Sequence, residues 1–154
     1  MKISWAGLGS FSSLLLRYAL GLSFLSAVAD RFGLWGAFGQ PNVAWGNFSR
    51  FVEYTGRLNW YLPAAMIPVL AVISTGAEVL LGLLLLVGWH TRITALLSGI
   101  LLMSFGVAMT LALGVKAPLD ASVFSAAGGA LLLATIKRFP FSVDELLQRS
   151  RSTG

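Results

Sequence analysis

Apolar residues occur in this chain as long blocks rather than at the period of an amphipathic helix or strand. Four blocks are long enough to cross a hydrocarbon core about 30 Å thick, which takes roughly 20 helical residues. A backbone in lipid must satisfy its own hydrogen bonds, so we expect each block to be helical. The pattern predicts an all-α, integral membrane four-helix bundle with spans at about residues 11–29, 62–88, 93–114 and 119–136.

The connection between the first two spans, about residues 31–61, is too long for a simple turn and is rich in aromatic residues. Within it, Phe48, Phe51 and Leu58 fall on one helical face and charged residues fall on another. This pattern predicts an interfacial amphipathic helix in the headgroup region between spans 1 and 2. Two interpretations stay open: the helix only anchors the bundle, or it covers a site between the spans.

The tail, residues 137–154, also contains an amphipathic segment. Ser142 is followed three residues later by Glu145, which is the spacing of a capping box at the start of a helix. We therefore expect a short helix on the inner leaflet, with a frayed basic terminus as the alternative.

Composition supports a single membrane domain over residues 1–154. The chain is 56% hydrophobic and 11% charged, with a mean hydropathy of +0.80, whereas soluble domains are about 25% charged. The net charge of +5 does not indicate nucleic-acid binding, because most basic residues flank the apolar blocks. The lipid bilayer is therefore the first expected partner.

Basic residues also predict the orientation, since cytoplasmic loops carry an excess of Lys and Arg. If both termini are cytoplasmic, the inner side holds six basic residues: Lys2, Arg92, Lys137, Arg138, Arg149 and Arg151. The outer side then holds four: Arg31, Arg50, Arg57 and Lys116. We expect a multi-pass protein with cytoplasmic N and C termini.

The chain has no cysteine and one histidine, His90. This excludes disulfides, thiol redox chemistry, thiolate-bound iron–sulfur clusters and Cys/His zinc sites. We expect no metal site and no cofactor held covalently or by metal ligands. If the protein takes part in redox chemistry, the electrons must reside on a partner or on a diffusible carrier such as a quinone.

Two charged residues lie deep within the predicted spans: Arg17 in LLLRYALG and Glu78 in STGAEVLLG. An arginine at the centre of a membrane helix costs about 2.5–3.5 kcal/mol, so such residues tend to face the bundle and pair. From the span ends, Arg17 lies about 9 Å and Glu78 about 15 Å from the inner boundary. An arginine side chain spans that difference, which predicts an Arg17–Glu78 pair.

Small and polar residues accompany both charges at helical spacing. Gly21 follows Arg17 by four residues, and Thr75 and Gly82 flank Glu78. The pair either locks two helices in register or lines a polar pocket for a quinone carbonyl, a small anion or a proton. The candidate pocket residues are Arg17, Gly21, Thr75, Glu78 and Gly82.

Five further residues are candidates near the membrane surfaces. Asp30, Arg31 and Asp120 are expected at the outer interface, where they bridge one another or loop arginines, or where Asp120 caps its helix. His90 and Arg92, in the turn GWHTR, are expected to contact inner-leaflet headgroups.

Two motifs resemble the DoxX-like family. One is Arg17 with Gly21 in the first span. The other is the block from Glu78 to Arg92, which reads EVLLGLLLLVGWHTR. Many members have Gly-x-x-Lys near the end of the first span, where this chain reads AVADRFG. The resemblance implies a small four-helix protein of the bacterial inner membrane. Relatives include the membrane subunit of an archaeal thiosulfate:quinone oxidoreductase.

Three functions are compatible with these observations. The first is an integral membrane subunit of a quinone-linked oxidoreductase complex, with the Arg/Glu pair lining a polar pocket and an oxidoreductase subunit as partner. The second is a non-catalytic membrane scaffold for a soluble partner. The third is a small proton-coupled transporter, either a monomer or a homo-oligomer, that uses Glu78 as its coupling carboxylate.

Overall fold

A computed structural model describes residues 4–152, and Lys2 lies outside them. The fold is all-helical, as predicted, and the described residues form no strand. The helices are α1 (Trp5–Arg31), α2 (Phe48–Leu58), α3 (Met66–Val87), α4 (Thr91–Leu113), α5 (Lys116–Asp120), α6 (Val123–Thr135) and α7 (Val143–Ser152).

Three of these helices, α1, α3 and α4, are long and apolar enough to cross a membrane. They correspond to the first three predicted spans. The second predicted span is α3. It begins at Met66 rather than at residue 62, because residues 62–65 form a turn that contains Pro63. Pro68 is accommodated in the first turn of α3, where its missing N–H leaves no hydrogen bond unmade.

The fourth predicted span, residues 119–136, contains a shorter helix than the other three, and its crossing of the membrane stays a prediction. The chain forms α5, turns at Ser122 with φ +55°, and then forms α6, which has only 13 residues. At 1.5 Å per residue, α6 is about 20 Å long, which is less than the hydrocarbon thickness. A left-handed residue interrupts the helix here, and the hydropathy of the block gave no sign of it.

The helices pack with α1 against α3 and α4 against α6, and these two pairs join through α3–α4 and α1–α6 contacts. Gly21 of α1 faces Gly82 of α3. A Cβ atom on Gly21 would lie 3.0 Å from the Gly82 carbonyl oxygen, and one on Gly82 would lie 3.1 Å from the Gly21 oxygen. The backbones of α1 and α3 therefore touch at this level, as small residues permit.

The bundle has two ends, which we name by the helices that mark them. The α2 end holds α2, the loop of residues 32–47, the start of α3 and the end of α1. The α7 end holds the α3–α4 turn and α7. The tail belongs to the fold at this end, because Phe139 packs into the same buried apolar cluster as Leu85 and Leu133.

The Gly21–Gly82 contact generates a stability prediction. We expect Gly82→Leu to lower the free energy of unfolding by about 1–3 kcal/mol, because the larger side chain pushes α1 away from α3. Gly76→Leu in the same helix is the matched control, since a Cβ atom on Gly76 meets nothing within 4 Å. Denaturation in detergent measures both. Equal losses for the two variants would contradict the close contact.

Candidate functional site

A cavity of about 720 Å³ lies at the α2 end, between α2, α3 and α4. Its walls are mostly apolar side chains from α4 and α2, and the start of α6 closes one side. Its polar groups come chiefly from the facing sides of α1, α2 and α3. The lining includes Arg31, Thr55, Ser74, Glu78, Tyr54 and Trp45.

An ion pair between Arg31 and Glu78 forms the polar part of this cavity. The guanidinium Nη1 of Arg31 contacts the Glu78 carboxylate, and the two side chains are 3% and 4% exposed. The same nitrogen donates a hydrogen bond to the hydroxyl of Thr75 at 2.8 Å. Thr75 in turn donates to the Ala71 carbonyl oxygen at 2.8 Å, which fixes the orientation of its hydroxyl group. Arg31 is thus held from α3 by two side chains one turn apart.

Aromatic side chains cover the guanidinium of Arg31 from the opposite side. Its central carbon lies 3.7 Å from the ring centroid of Phe51 and 5.3 Å from that of Trp45. Cation–π attraction of this kind strengthens when water is excluded. The Nε atom of Arg31 is buried and has no hydrogen-bond partner. The amphipathic helix α2 was predicted, and it covers the cavity through Phe51, Thr55 and Leu58.

Tyr54 of α2 is one of the residues that line the cavity, and its side chain carries a hydroxyl group. Burial raises the pKa of this hydroxyl group, and the nearby charge of Arg57 opposes that shift. Tyr54 therefore stays protonated at neutral pH and is able to donate a hydrogen bond.

The predicted Arg17–Glu78 pair was wrong, because Glu78 pairs with Arg31. Since Gly21 lies level with Gly82 in antiparallel helices, Arg17 and Glu78 are separated by eight helical residues, or about 12 Å along the axis. Side chains also tilt toward the N-terminus of their own helix. Arg17 and Glu78 therefore point away from each other, whereas Arg31 and Glu78 point toward each other.

Arg17 lies instead at the α7 end, buried beneath the tail and 1% exposed. Its Nη2 atom donates to the carbonyl oxygen of Phe141 at 2.6 Å. Its Nη1 atom lies against Gly88, where a Cβ atom would approach it to 2.6 Å. The sequence predicted a tail helix but gave no sign that an intramembrane arginine would bind the tail backbone.

Two of the other pocket candidates, Gly21 and Gly82, pack α1 against α3 and do not line the cavity. Thr75 does contact the ion pair, through its hydroxyl group. Arg31 therefore contacts Thr75 and Glu78 at the α2 end, whereas Arg17 lies at the α7 end.

Asp30 orders the loop that carries Trp45. Its Oδ2 atom accepts hydrogen bonds from the backbone N–H groups of Ala44 at 2.9 Å and Trp45 at 3.1 Å. Asp30 and Arg31 do not bridge one another, because Arg31 binds Glu78. Asp120 does not cap the fourth span, since it ends α5 and pairs with Lys116 on the surface.

His90 and Arg92 lie at the α7 end, away from the cavity. The backbone N–H groups of His90 and Thr91 donate to the Asp144 carboxylate at 2.9 and 2.7 Å, so α7 caps the first turn of α4. Arg92 donates to the Ala134 carbonyl oxygen at 3.4 Å. Their contact with lipid headgroups stays a prediction. Sequence spacing did not indicate Asp144 as a cap, because 53 residues separate it from Thr91.

The capping box predicted at the start of the tail helix is present in modified form. The Ser142 hydroxyl accepts from the Glu145 backbone N–H at 3.1 Å. Glu145 accepts from the N–H of Phe141 at 3.0 Å, one residue before the expected position. Among residues 4–152, no three His, Asp or Glu side chains gather in a way that could hold a metal ion.

Comparison with known proteins identifies a family. Residues 9–136 match the family model described as Methylamine utilisation protein MauE. Nothing matches the chain among curated proteins or among solved structures. The match names a family other than the DoxX-like family, and together with the apolar helices it establishes a small multi-pass membrane protein.

The Arg31–Glu78 pair generates a double-mutant prediction. Arg31→Met or Glu78→Gln alone leaves one buried group without its partner, and breaking a buried pair costs about 3–5 kcal/mol. The double variant should cost at least about 0.5 kcal/mol less than the sum of the two. Arg17→Met combined with Glu78→Gln is the control and should be additive. Unfolding in detergent measures these four variants and Arg17→Met alone, and coupling of Glu78 to Arg17 instead would contradict the pair.

The Arg17–Phe141 contact generates a second prediction. We expect Arg17→Met to speed amide hydrogen exchange in residues 139–148, because hydrogen bonds to charged groups stabilise by about 1.5–3 kcal/mol. Arg57→Met on α2 is the control. Unchanged exchange at the tail in both variants would show that Arg17 does not hold it.

Proposed function

Because this chain belongs to the family of the methylamine utilisation protein MauE, a family of membrane proteins, we propose that it is an integral membrane subunit of a quinone-linked oxidoreductase complex. The family name refers to methylamine utilisation, and a reduced amine gives up electrons when it is used as a nutrient. A lipid-soluble quinone is an acceptor that a membrane subunit is able to reach. The resemblance of Arg17, Gly21 and residues 78–92 to DoxX-like proteins supports the same class of function.

The observation that carries the proposal is the cavity at the α2 end with a buried ion pair in its wall. Its volume of about 720 Å³ lies within the range of about 300–1,000 Å³ that small-molecule sites occupy. Apolar walls with a few fixed polar groups suit a flat ring that carries oxygen atoms at its edge. The apolar wall includes three side chains of α4, those of Leu102, Met103 and Val107.

The polar groups suit both redox forms of a quinone. The oxidised form carries carbonyl oxygens, which accept hydrogen bonds, and the unpartnered Nε of Arg31 and the Tyr54 hydroxyl are donors. The reduced form carries hydroxyl groups, which donate, and the Glu78 carboxylate is an acceptor. A carboxylate in hydrogen-bond reach is also a group able to accept or return a proton. Arg31 would hold Glu78 in position for this.

Reduction of a quinone consumes two electrons and two protons, and the chain must receive the electrons from elsewhere. Its sequence has no cysteine to carry them as thiols or to ligate a cluster. We therefore propose an oxidoreductase partner subunit that supplies the electrons. In this arrangement the present chain contributes the membrane-embedded binding site and the proton-handling carboxylate.

We further propose that the α7 end faces the cytoplasm of a bacterial inner membrane. Arg92, Lys137 and Arg138 lie at or beside this end, and cytoplasmic segments are rich in Lys and Arg. The cavity would then open toward the outer leaflet. A transporter that uses Glu78 as its coupling carboxylate is the weaker alternative, because the family name refers to the utilisation of an amine and not to transport. A scaffold role would use α7 as a binding surface for a soluble partner, but it does not explain the cavity or its buried ion pair.

Quinone binding tests the proposal directly. We expect decylubiquinone to quench tryptophan fluorescence of the protein in nanodiscs, since Trp45 lines the cavity. Glu78→Gln should weaken the affinity at least tenfold, which is about 1.4 kcal/mol. Glu53→Gln is the matched control, because Glu53 is exposed on α2 and pairs with Arg50 on the surface.

A second variant keeps the test decisive if Glu78→Gln does not fold. Ala108→Phe fills the cavity from α4 without changing the ion pair and should also abolish quenching. Equal decylubiquinone affinity in the wild type, Ala108→Phe and Glu53→Gln would overturn the proposal.

A further inference from the structure

A second cleft lies on another face of α1 at the α2 end, with a volume of about 460 Å³. It is formed by the outward face of α1 and by the loop of residues 32–47. Leu22 and the hydroxyl groups of Ser23 and Ser26 are exposed along this face. We call it the Asp30 cleft; its lining is Leu22, Ser23, Ser26, Ala27, Asp30, Trp35 and Asn42.

Asp30 is buried in the wall of this cleft without a counter-ion. The residue is 6% exposed. Its Oδ2 atom binds the two loop N–H groups, while its Oδ1 atom has no hydrogen-bond partner. Glu53, Glu78 and Asp120 each form an ion pair with a basic side chain, and among the described residues Asp30 forms none. The adjacent cation, Arg31, is already bound to Glu78 on another face of α1. A buried carboxylate in this state favours a cation from outside the chain.

The rest of the Asp30 cleft is suited to a small organic cation. Trp35 donates its indole N–H to the Ser26 carbonyl oxygen at 3.1 Å, which holds the ring against α1 as one wall. An aromatic wall attracts a cation through its π face. The Ser23 and Ser26 hydroxyls and the Asn42 amide oxygen are hydrogen-bond acceptors. Leu22 provides apolar surface at the membrane-facing end.

We propose that the Asp30 cleft binds a primary ammonium group. Such a group carries one positive charge and three N–H donors. One donor and the charge satisfy Asp30, and the remaining donors match the hydroxyl and amide oxygens. The carbon attached to the nitrogen lies along Trp35 and Leu22. A bound anion is disfavoured by the Asp30 charge, and no further carboxylate or imidazole lines the cleft to complete a metal site.

Primary ammonium groups reach this cleft from two sources. One is the headgroup of phosphatidylethanolamine, since the cleft lies on the exposed side of an apolar helix beside the bilayer. The other is a small soluble amine. Ala27 is the one lining residue that the Asp30 cleft shares with the Arg31–Glu78 cavity, and Asp30 does not line that cavity, so this inference stands whether or not the protein binds a quinone.

The soluble arm titrates ethanolamine into protein in phosphatidylcholine nanodiscs at pH 7 and constant ionic strength. We expect saturable binding by calorimetry, with choline as the control ligand because its quaternary nitrogen has no N–H. The lipid arm uses native mass spectrometry to compare retention of phosphatidylethanolamine with that of phosphatidylglycerol. Ethanolamine binding supports a soluble amine, and selective phosphatidylethanolamine retention alone supports the lipid.

Asp30→Asn tests the residue in both arms. Its side-chain oxygen still accepts from Ala44 and Trp45, while the charge is removed. We expect ammonium binding at least tenfold weaker in this variant and unchanged in Asp120→Asn, whose carboxylate is exposed on the surface. If Asp30→Asn does not fold, Ser23→Leu fills the cleft from its exposed side and should abolish binding. Binding in neither arm by the wild type, or full binding by Asp30→Asn or Ser23→Leu, would overturn the proposal.

Discussion

Two opposite charges removed from water must remain together, and the Arg31–Glu78 pair fixes much of the α2 end for this reason. Both side chains are almost fully buried, and the cost of separating them exceeds that of most single contacts in the fold. The pair joins the last residue of α1 to the middle of α3. Arg31 also completes the C-terminus of α1, where a positive charge is favourable. The cavity remains because α2 covers the ion pair but does not fill the space between α2, α3 and α4.

Asp30 and Arg31 are adjacent on α1 but contact different parts of the protein. Asp30 and Arg31 differ by about 100° around the helix axis, so one faces the cleft and the loop while the other faces α3. Asp30 holds the backbone of Ala44 and Trp45, and Trp45 in turn lies over the guanidinium of Arg31. The loop and the ion pair therefore depend on each other. A change at Asp30 is expected to affect the roof of the cavity as well as the cleft.

The two arginines of α1 are stabilised in different ways. Arg31 has a carboxylate, a hydroxyl group and two aromatic rings, whereas Arg17 has a backbone carbonyl oxygen from the tail and the ring of Tyr18 at 5.3 Å. Asp144 reinforces the tail by capping α4. Contacts with the tail hold the α7 end together and leave a pocket of about 350 Å³ there, whereas the α2 end keeps a cavity of about 720 Å³ with a buried ion pair in its wall. This difference is why we assign ligand binding to the α2 end.

The sequence by itself determined the membrane class, three long helices, the amphipathic helix α2 and the start of the tail helix. These features follow from the length of apolar blocks, helical periodicity and local capping, and each involves residues close in the chain. Which arginine meets Glu78 was decided only by the tertiary structure. That choice depends on the Gly21–Gly82 register and on the tilt of side chains in antiparallel helices, which spacing within one helix does not contain. The break at Ser122 and the Asp30 loop contacts likewise depend on packing between distant segments.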